Sequence, residues 1–249
     1  FCSGCEGAGY ILAFGMVEGA GAGFEGPGWV GAPRDEWTIV RDWDATGLRG
    51  TGSHSIAASG LRVGAESIFP IIAERRSDDP RHVMAPDVGG AWPIAYSVAA
   101  VQLGLARRAL DEAAAIVATK TPAPLFAVLD DHSAVRSELM IAEGRWAQAV
   151  AGAEWTLGEL WAGALAGQDP DPRLRARLGT LAHLANRDGA DLVETANRVV
   201  GTSALDPAHP IARCRRDVQP LLGHISSNAA ILDFAAASWR GEDPGWPLV

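Results

Sequence analysis

The sequence predicts an α+β chain: a small β-sheet or barrel domain over residues 1–85, then an antiparallel four-helix bundle domain over residues 90–249. Three observations carry this. Up to about residue 85 the chain is rich in Gly, Trp and β-branched residues arranged in short alternating runs. From Gly90 onward Ala and Leu dominate, and apolar residues recur at three- and four-residue spacing. Short Pro- and Gly-containing breaks divide that second half into four long segments, as an up-down bundle requires.

Taken in order, YILAFGMV, WTIVRDW, SIAASGLRV and ESIFPII read as strands separated by Gly-rich turns. The first helix is expected over 91–119, ending at the Pro122–Pro124 break. The second is expected over 131–167, with Asp131 or Ser133 as its N-cap. QDPDP separates it from a third helix over 173–200, which Gly201 suits as a C-cap. The fourth is expected to run from Pro210 to about Trp239 and to bend at Pro220, whose ring crowds the carbonyl of Arg216.

Composition narrows the function classes. The 249 residues are 48% hydrophobic, enough for a substantial core, and the formal net charge of −9 argues against nucleic acid or an anionic membrane as main partner. No apolar run is long enough to span a bilayer. The chain opens at Phe1 among strand-like residues, without a visible leader, and is expected to be part of a longer reading frame. Three cysteines are too few for a disulfide framework and favour a reducing, cytoplasmic setting.

Several motifs need weighing. Gly21, Gly23 and Gly26 form a literal GxGxxG, but Pro27, Gly28 and Trp29 come next, so no helix opens and a flexible hairpin loop is expected. Cys2 and Cys5 form a CxxC with no second ligand pair and no helix behind it. His82, His132, His183 and His209 are expected on the surface or in loops. Most of the nine tryptophans should lie in cores or interfaces, with Trp146, Trp155 and Trp161 against sister subunits, while Trp92 suits a pocket lining equally well. The segment RCRRDVQPLLGH stands apart: Asp217 and His224, seven positions apart on an unbroken helix, would share one face beside the proline.

Taken in order and spacing, FCSG at 1–4, Trp43–Asp44 before GLRGTGSHS at 47–55, LGLARRALDEA at 103–113, VVGTSAL at 199–205 and RRDVQPLLGH make the chain resemble the acyl-CoA dehydrogenase superfamily. The match is to its oxygenase branch, the flavin-dependent monooxygenase components of two-component systems, from the middle β domain through the C-terminal bundle. The family's N-terminal helical domain is absent from this chain. Acyl-CoA dehydrogenases often carry a glutamate soon after the Arg–Asp pair; here Gly223 and His224 occupy that neighbourhood, which lowers but does not remove the alternative of an FAD-dependent acyl-CoA dehydrogenase.

The resemblance implies reduced FMN or FAD delivered by a separate flavin reductase, O2 as co-substrate, an aromatic or heteroaromatic small molecule, and a homotetramer. It places Ser3 beside the flavin N5 edge and His224 as the group exchanging a proton near neutral pH. Gly4, Thr51, Gly52 and Ser53 would contribute to a small-residue cradle for the cofactor. Lys120 and the Gly201–Thr202–Ser203 loop are further candidates for its phosphate, across a subunit interface.

Overall fold

The computed structural model describes residues 1–18, 23–70, 92–123, 125–168, 171–224 and 227–242, the side chains of 92–95 aside. It divides into two compact units at the 87/88 boundary.

In the first unit, β1 (Tyr10–Val17) pairs antiparallel with β2 (Gly26–Pro33), setting Tyr10 opposite Pro33 and Phe14 opposite Trp29. The other edge of β2 takes β5 (Ile68–Pro70), with Trp29 opposite Phe69. A second, two-stranded sheet pairs β3 (Thr38–Val40) with β4 (Ser55–Ala57). The strands expected over WTIVRDW and SIAASGLRV are thus cut to three residues each, and the last two residues of ESIFPII lie outside the described residues.

The hairpin expected at the GxGxxG is formed by β1 and β2, with Gly21 outside the described residues, and the strand β2 is an addition to the expected ones. Its glycines are there for packing. A Cβ on Gly28 would stand 2.7 Å from the Phe24 ring and 2.9 Å from the Phe69 carbonyl; one on Gly31 would stand 2.6 Å from the Tyr10 ring. Aromatic rings occupy the space that side chains at these positions would need.

The second unit is helical: α1 (Trp92–Val117), α2 (Ser133–Leu165), α3 (Pro172–Val200), α4 (Pro210–Leu222) and α5 (Ala230–Arg240). α3 is the central helix and packs against all four others. Its neighbours are close because Gly189 lets the backbone of Gln102 on α1 approach within 2.9 Å of where a Cβ would stand. Gln102 is fully buried, and its Nε2 donates to the Val218 carbonyl of α4 at 3.3 Å, so one side chain joins three helices. Salt bridges brace the outside. Arg107 on α1 grips Glu143 on α2 at 2.7 and 2.6 Å, Arg145 on α2 meets Asp188 on α3, and Arg215 on α4 meets Glu194 on α3 at 2.6 Å. Trp146, expected against a sister subunit, is used within the bundle: its indole donates to the Leu103 carbonyl at 3.0 Å beneath the Arg107 guanidinium. Trp155 and Trp161 keep 50% and 39% of their surface exposed.

Three local expectations are corrected. α2 is capped by His132, without a side-chain hydrogen bond, rather than by Asp131 or Ser133; Asp131 closes a short 3-10 turn and Ser133 is already helical. His183 is not on the surface: it is 5% exposed within α3, because the central helix is enclosed on that side too. The fourth helix passes its proline but ends two residues later, at Leu222, well short of Trp239. Pro220 removes the bond to the Arg216 carbonyl, and the chain then tightens into three-residue bonds, Gly223 N to Pro220 O and His224 N to Leu221 O, both 3.1 Å, and stops. α4 and α5 together fill the fourth place in the bundle. The remaining histidine expectations divide: His209 caps α4, its Nδ1 accepting from Ile211 N at 3.2 Å, and His82 lies outside the described residues. So does the Trp92 side chain.

Candidate functional site

Within the first unit, two segments some fifty residues apart in sequence meet. Cys2 N donates to the His54 carbonyl at 2.8 Å and Gly4 N to the Thr51 carbonyl at 2.7 Å, so FCSG lies against the GTGS turn. FCSG is not the strand expected of it. Only Cys2 makes a β-bridge, and Gly4, with φ of +74°, turns the chain. The bridge still delivers the predicted residues to one place. Ser3 Oγ is 2.8 Å from Ser53 Oγ, and Ser53 Oγ is 2.7 Å from Thr51 Oγ1. Gly52, with φ of +51°, permits the tight return between the last two.

The end of this hydroxyl chain is fixed by Leu48. Its carbonyl accepts from Thr51 N at 3.1 Å, Thr51 Oγ1 at 2.9 Å and the Trp43 indole at 3.2 Å. Leu48 itself has φ of +53°, a left-handed conformation that a branched side chain rarely adopts, and these three donors hold it there. A hydroxyl has one proton. Thr51 gives its proton to Leu48, so Ser53 donates to Thr51 and Ser3 donates to Ser53. Ser3 Oγ is left with its lone pairs facing outward.

Beside the cradle, His54 Nδ1 accepts from Trp43 N at 3.0 Å, and its side chain is only 12% exposed. Hydrogen bonds from the Ser55 hydroxyl and amide hold the nearby Asp42 carboxyl below the usual carboxylate range. The sequence named the GTGS residues because small hydroxyls and glycines cluster there. Neither the Leu48 carbonyl nor His54 carries such a signal.

In the second unit, Lys120 and Gly201 come together. Lys120 Nζ donates to the Val200 carbonyl at 2.6 Å, at the C-terminus of α3, where Gly201 with φ of +57° reverses the chain as expected. The ammonium thus neutralises the helix end it sits on. Replacing Lys120 by Met should lower stability by about 1–3 kcal/mol, through loss of a charge-assisted bond and the dipole interaction. A thermal melt of the variant measures this; an unchanged midpoint would remove the structural role. Thr202 borders a cavity of about 510 Å³ with Asn197, Gly201, Arg198, Arg215 and Arg216. Ser203 lies in the same short turn but outside the cavity lining.

His224 comes after the end of α4 instead of sharing a helix face with Asp217, which corrects the spacing argument. Its carbonyl accepts from Ser227 N at 2.8 Å. Partial burial pushes its imidazole pKa below the ordinary histidine value. It therefore rests as a neutral base at pH 7. Among the described residues no cluster of three or more His, Cys, Asp or Glu is placed to hold a metal. No described helix is long and apolar enough to cross a membrane.

Among known protein families, the model of the acyl-CoA dehydrogenase C-terminal domain matches residues 96–229, more than half of the chain. Indole-3-acetate monooxygenase from Pseudomonas putida is 27% identical over 245 residues, covering 98% of this chain and 61% of the relative. The HsaA monooxygenase of M. tuberculosis superposes with a TM-score of 0.87 at 21% identity, over 99% of this chain and 64% of its own. XiaF from Streptomyces sp., solved with FADH2 and glycerol, gives 0.84 at 19% identity, over 99% and 64%. The chain thus spans roughly three fifths of the length of the relatives it matches.

Proposed function

The chain belongs to the acyl-CoA dehydrogenase family through its C-terminal domain, and from that premise we propose that it forms the β-domain and bundle portion of the oxygenase component of a two-component flavin-dependent monooxygenase. The observation that carries this reading is the chain of hydroxyls Ser3, Ser53 and Thr51, oriented by the Leu48 carbonyl. The donor set fits a flavin. Small hydroxyl side chains and two positive-φ glycines, Gly4 and Gly52, leave room at a surface where an extended polar ring edge can lie close to backbone.

Bound reduced flavin supplies the electrons that activate O2. The chain's own residues do the rest. Ser3 Oγ, its proton committed to Ser53, would be the acceptor for the N–H of a reduced flavin. His224, neutral at pH 7, takes or returns a proton at its imidazole nitrogen. The arginines of the cavity beside Gly201 and Thr202 suit the anionic end of FMN or FAD, from the same subunit or a neighbouring one. Lys120, already bound to Val200, helps shape that loop. The residues 218–224 contain no carboxylate, which disfavours α-proton abstraction from a thioester there. The relative that acts on indole-3-acetate supports an aromatic or heteroaromatic substrate. A homotetramer in the cytoplasm, fed by a separate flavin reductase, completes the proposal.

Anaerobic titration of the full-length protein with reduced FMN and FADH2 tests it. Saturable binding of one of them is expected, weakened about tenfold in Ser3→Ala, the worth of one hydrogen bond at ~1.4 kcal/mol. Equal affinity in that variant removes Ser3 from the site, and no binding of either flavin overturns the whole reading.

A further inference from the structure

The CxxC that the proposed site does not use is built as a closed pair. Cys2, Ser3, Gly4 and Cys5 form a β-turn: Cys5 N donates to the Cys2 carbonyl at 3.3 Å, and Gly4 at the third position has φ of +74°, the type II geometry. Such a turn brings its first and last Cα atoms within about 7 Å. Disulfides span Cα separations of roughly 4.4–6.8 Å. Both thiols are free. Cys5 is buried, with Sγ 3.6 Å from the Gly52 carbonyl, while Cys2 is half-buried and is the sulfur that a small oxidant meets first. Between them stands Ser3, whose hydroxyl heads the chain to Ser53 and Thr51. Burial and the Cys5 thiol hold the Cys2 pKa above its ordinary value, so Cys2 rests as a thiol.

We propose that Cys2 and Cys5 are a redox modification site that hydroperoxides close into a disulfide. The steps balance. The Cys2 thiolate attacks one oxygen of hydrogen peroxide, a sulfur–oxygen bond forms as the O–O bond breaks, and hydroxide leaves and takes up the thiol proton as water. Cys5 sulfur then displaces the sulfenic oxygen, which departs as a second water once protonated. Two thiols are oxidised and one peroxide is reduced. The loop so closed is only four residues long, so it adds little entropic stabilisation and is readily reversed by thiols. Closure also removes the Cys5 thiol proton from Gly52, one residue from Ser53. Resting on the proposed function, the oxidant is the hydrogen peroxide released when reduced flavin consumes O2 without oxygenating substrate; the site then senses uncoupled turnover beside Ser3 itself.

Thiol counting tests this without any flavin, so its outcome is independent of that reading. The full chain is treated with hydrogen peroxide, alkylated with N-ethylmaleimide and weighed intact and as peptides. The expected result is joint loss of label from Cys2 and Cys5, a mass two hydrogens lower, retention of label on buried Cys214, and full recovery with dithiothreitol. A Cys5→Ser variant should stop at a Cys2 sulfenic acid that dimedone traps. Should that variant fail to fold, the paired loss of label in the natural sequence decides alone. Label surviving on all three cysteines under excess peroxide, irreversible oxidation of Cys2 with Cys5 still labelled, or a Cys2 bridge to a second copy would each overturn the proposal.

Discussion

Replacing His224 by Ala in the full-length protein is expected to lower product formation about 10²–10⁴-fold, the usual contribution of a positioned acid–base group, while reduced-flavin affinity stays unchanged. The direction of its pKa sharpens the test. In the folded chain the imidazole titrates below its ordinary value because burial disfavours the charged form. The unfolded chain takes up that proton near pH 6.5. The stability linked to this group is therefore complete above about pH 6.5 and is lost as pH falls toward the depressed folded value. Activity should track the same limb, falling on acidification as the neutral base is consumed. His224→Gln should remove the His224-linked part of the acid loss of stability and abolish the activity. Undiminished oxygenation in either variant would remove His224 from the chemistry.

The second large effect lies far from the hydroxyls. Gly189→Leu should destabilise the bundle by at least about 3 kcal/mol, an overpacking that α1 cannot relieve, or roughly 6–12 °C in Tm for a domain of this size. The reason is that the obstructing atoms are largely backbone: the Cβ would stand 2.8 Å from Gln102 Cβ and 2.9 Å from its carbonyl carbon and oxygen. A flexible tip would swing aside, but a main chain moves only with its helix. Separating α1 from α3 also strains the Gln102 bond to Val218, so α4 is drawn in. Gly189→Ala is the informative control. Its helix propensity gains about 1 kcal/mol and its clash costs about 1–3 kcal/mol, so a small net loss is expected. A melt in which the Leu variant matches the natural chain would show the approach to be looser than described.

The helices are legible in the sequence because α-helical spacing is written locally and repeated many times, and the Gly201 stop is legible because only glycine sits easily at its φ. The strand β2 is not. Its glycines advertise a loop, and the rings of Tyr10 and Phe24 that make them strand residues lie elsewhere in the sequence. Pro220 marks a disturbance, but whether a proline bends a helix or ends it depends on the residues after it, here Gly223. In the site, Ser3, Thr51 and Ser53 stand out because small hydroxyls in glycine turns suggest a cradle. That they touch each other depends on the Cys2–His54 bridge, a contact between segments some fifty residues apart. His183 is misplaced by sequence alone because a lone histidine among Leu181, Ala182, Leu184 and Ala185 gives no sign of which face of its helix is enclosed.

The carbonyl of Leu48 sets a polarity that reaches beyond hydrogen bonding. Because every proton along Thr51, Ser53 and Ser3 points inward, the outermost oxygen greets a ligand as an electron-pair donor. An oxidised isoalloxazine also offers a lone pair at N5, and two lone pairs repel. Its dihydro form offers a hydrogen instead. On the proposed function, this cradle would retain the coenzyme while it is charged with electrons and loosen its hold once they are spent, the behaviour wanted of a carrier that must shuttle back for recharging.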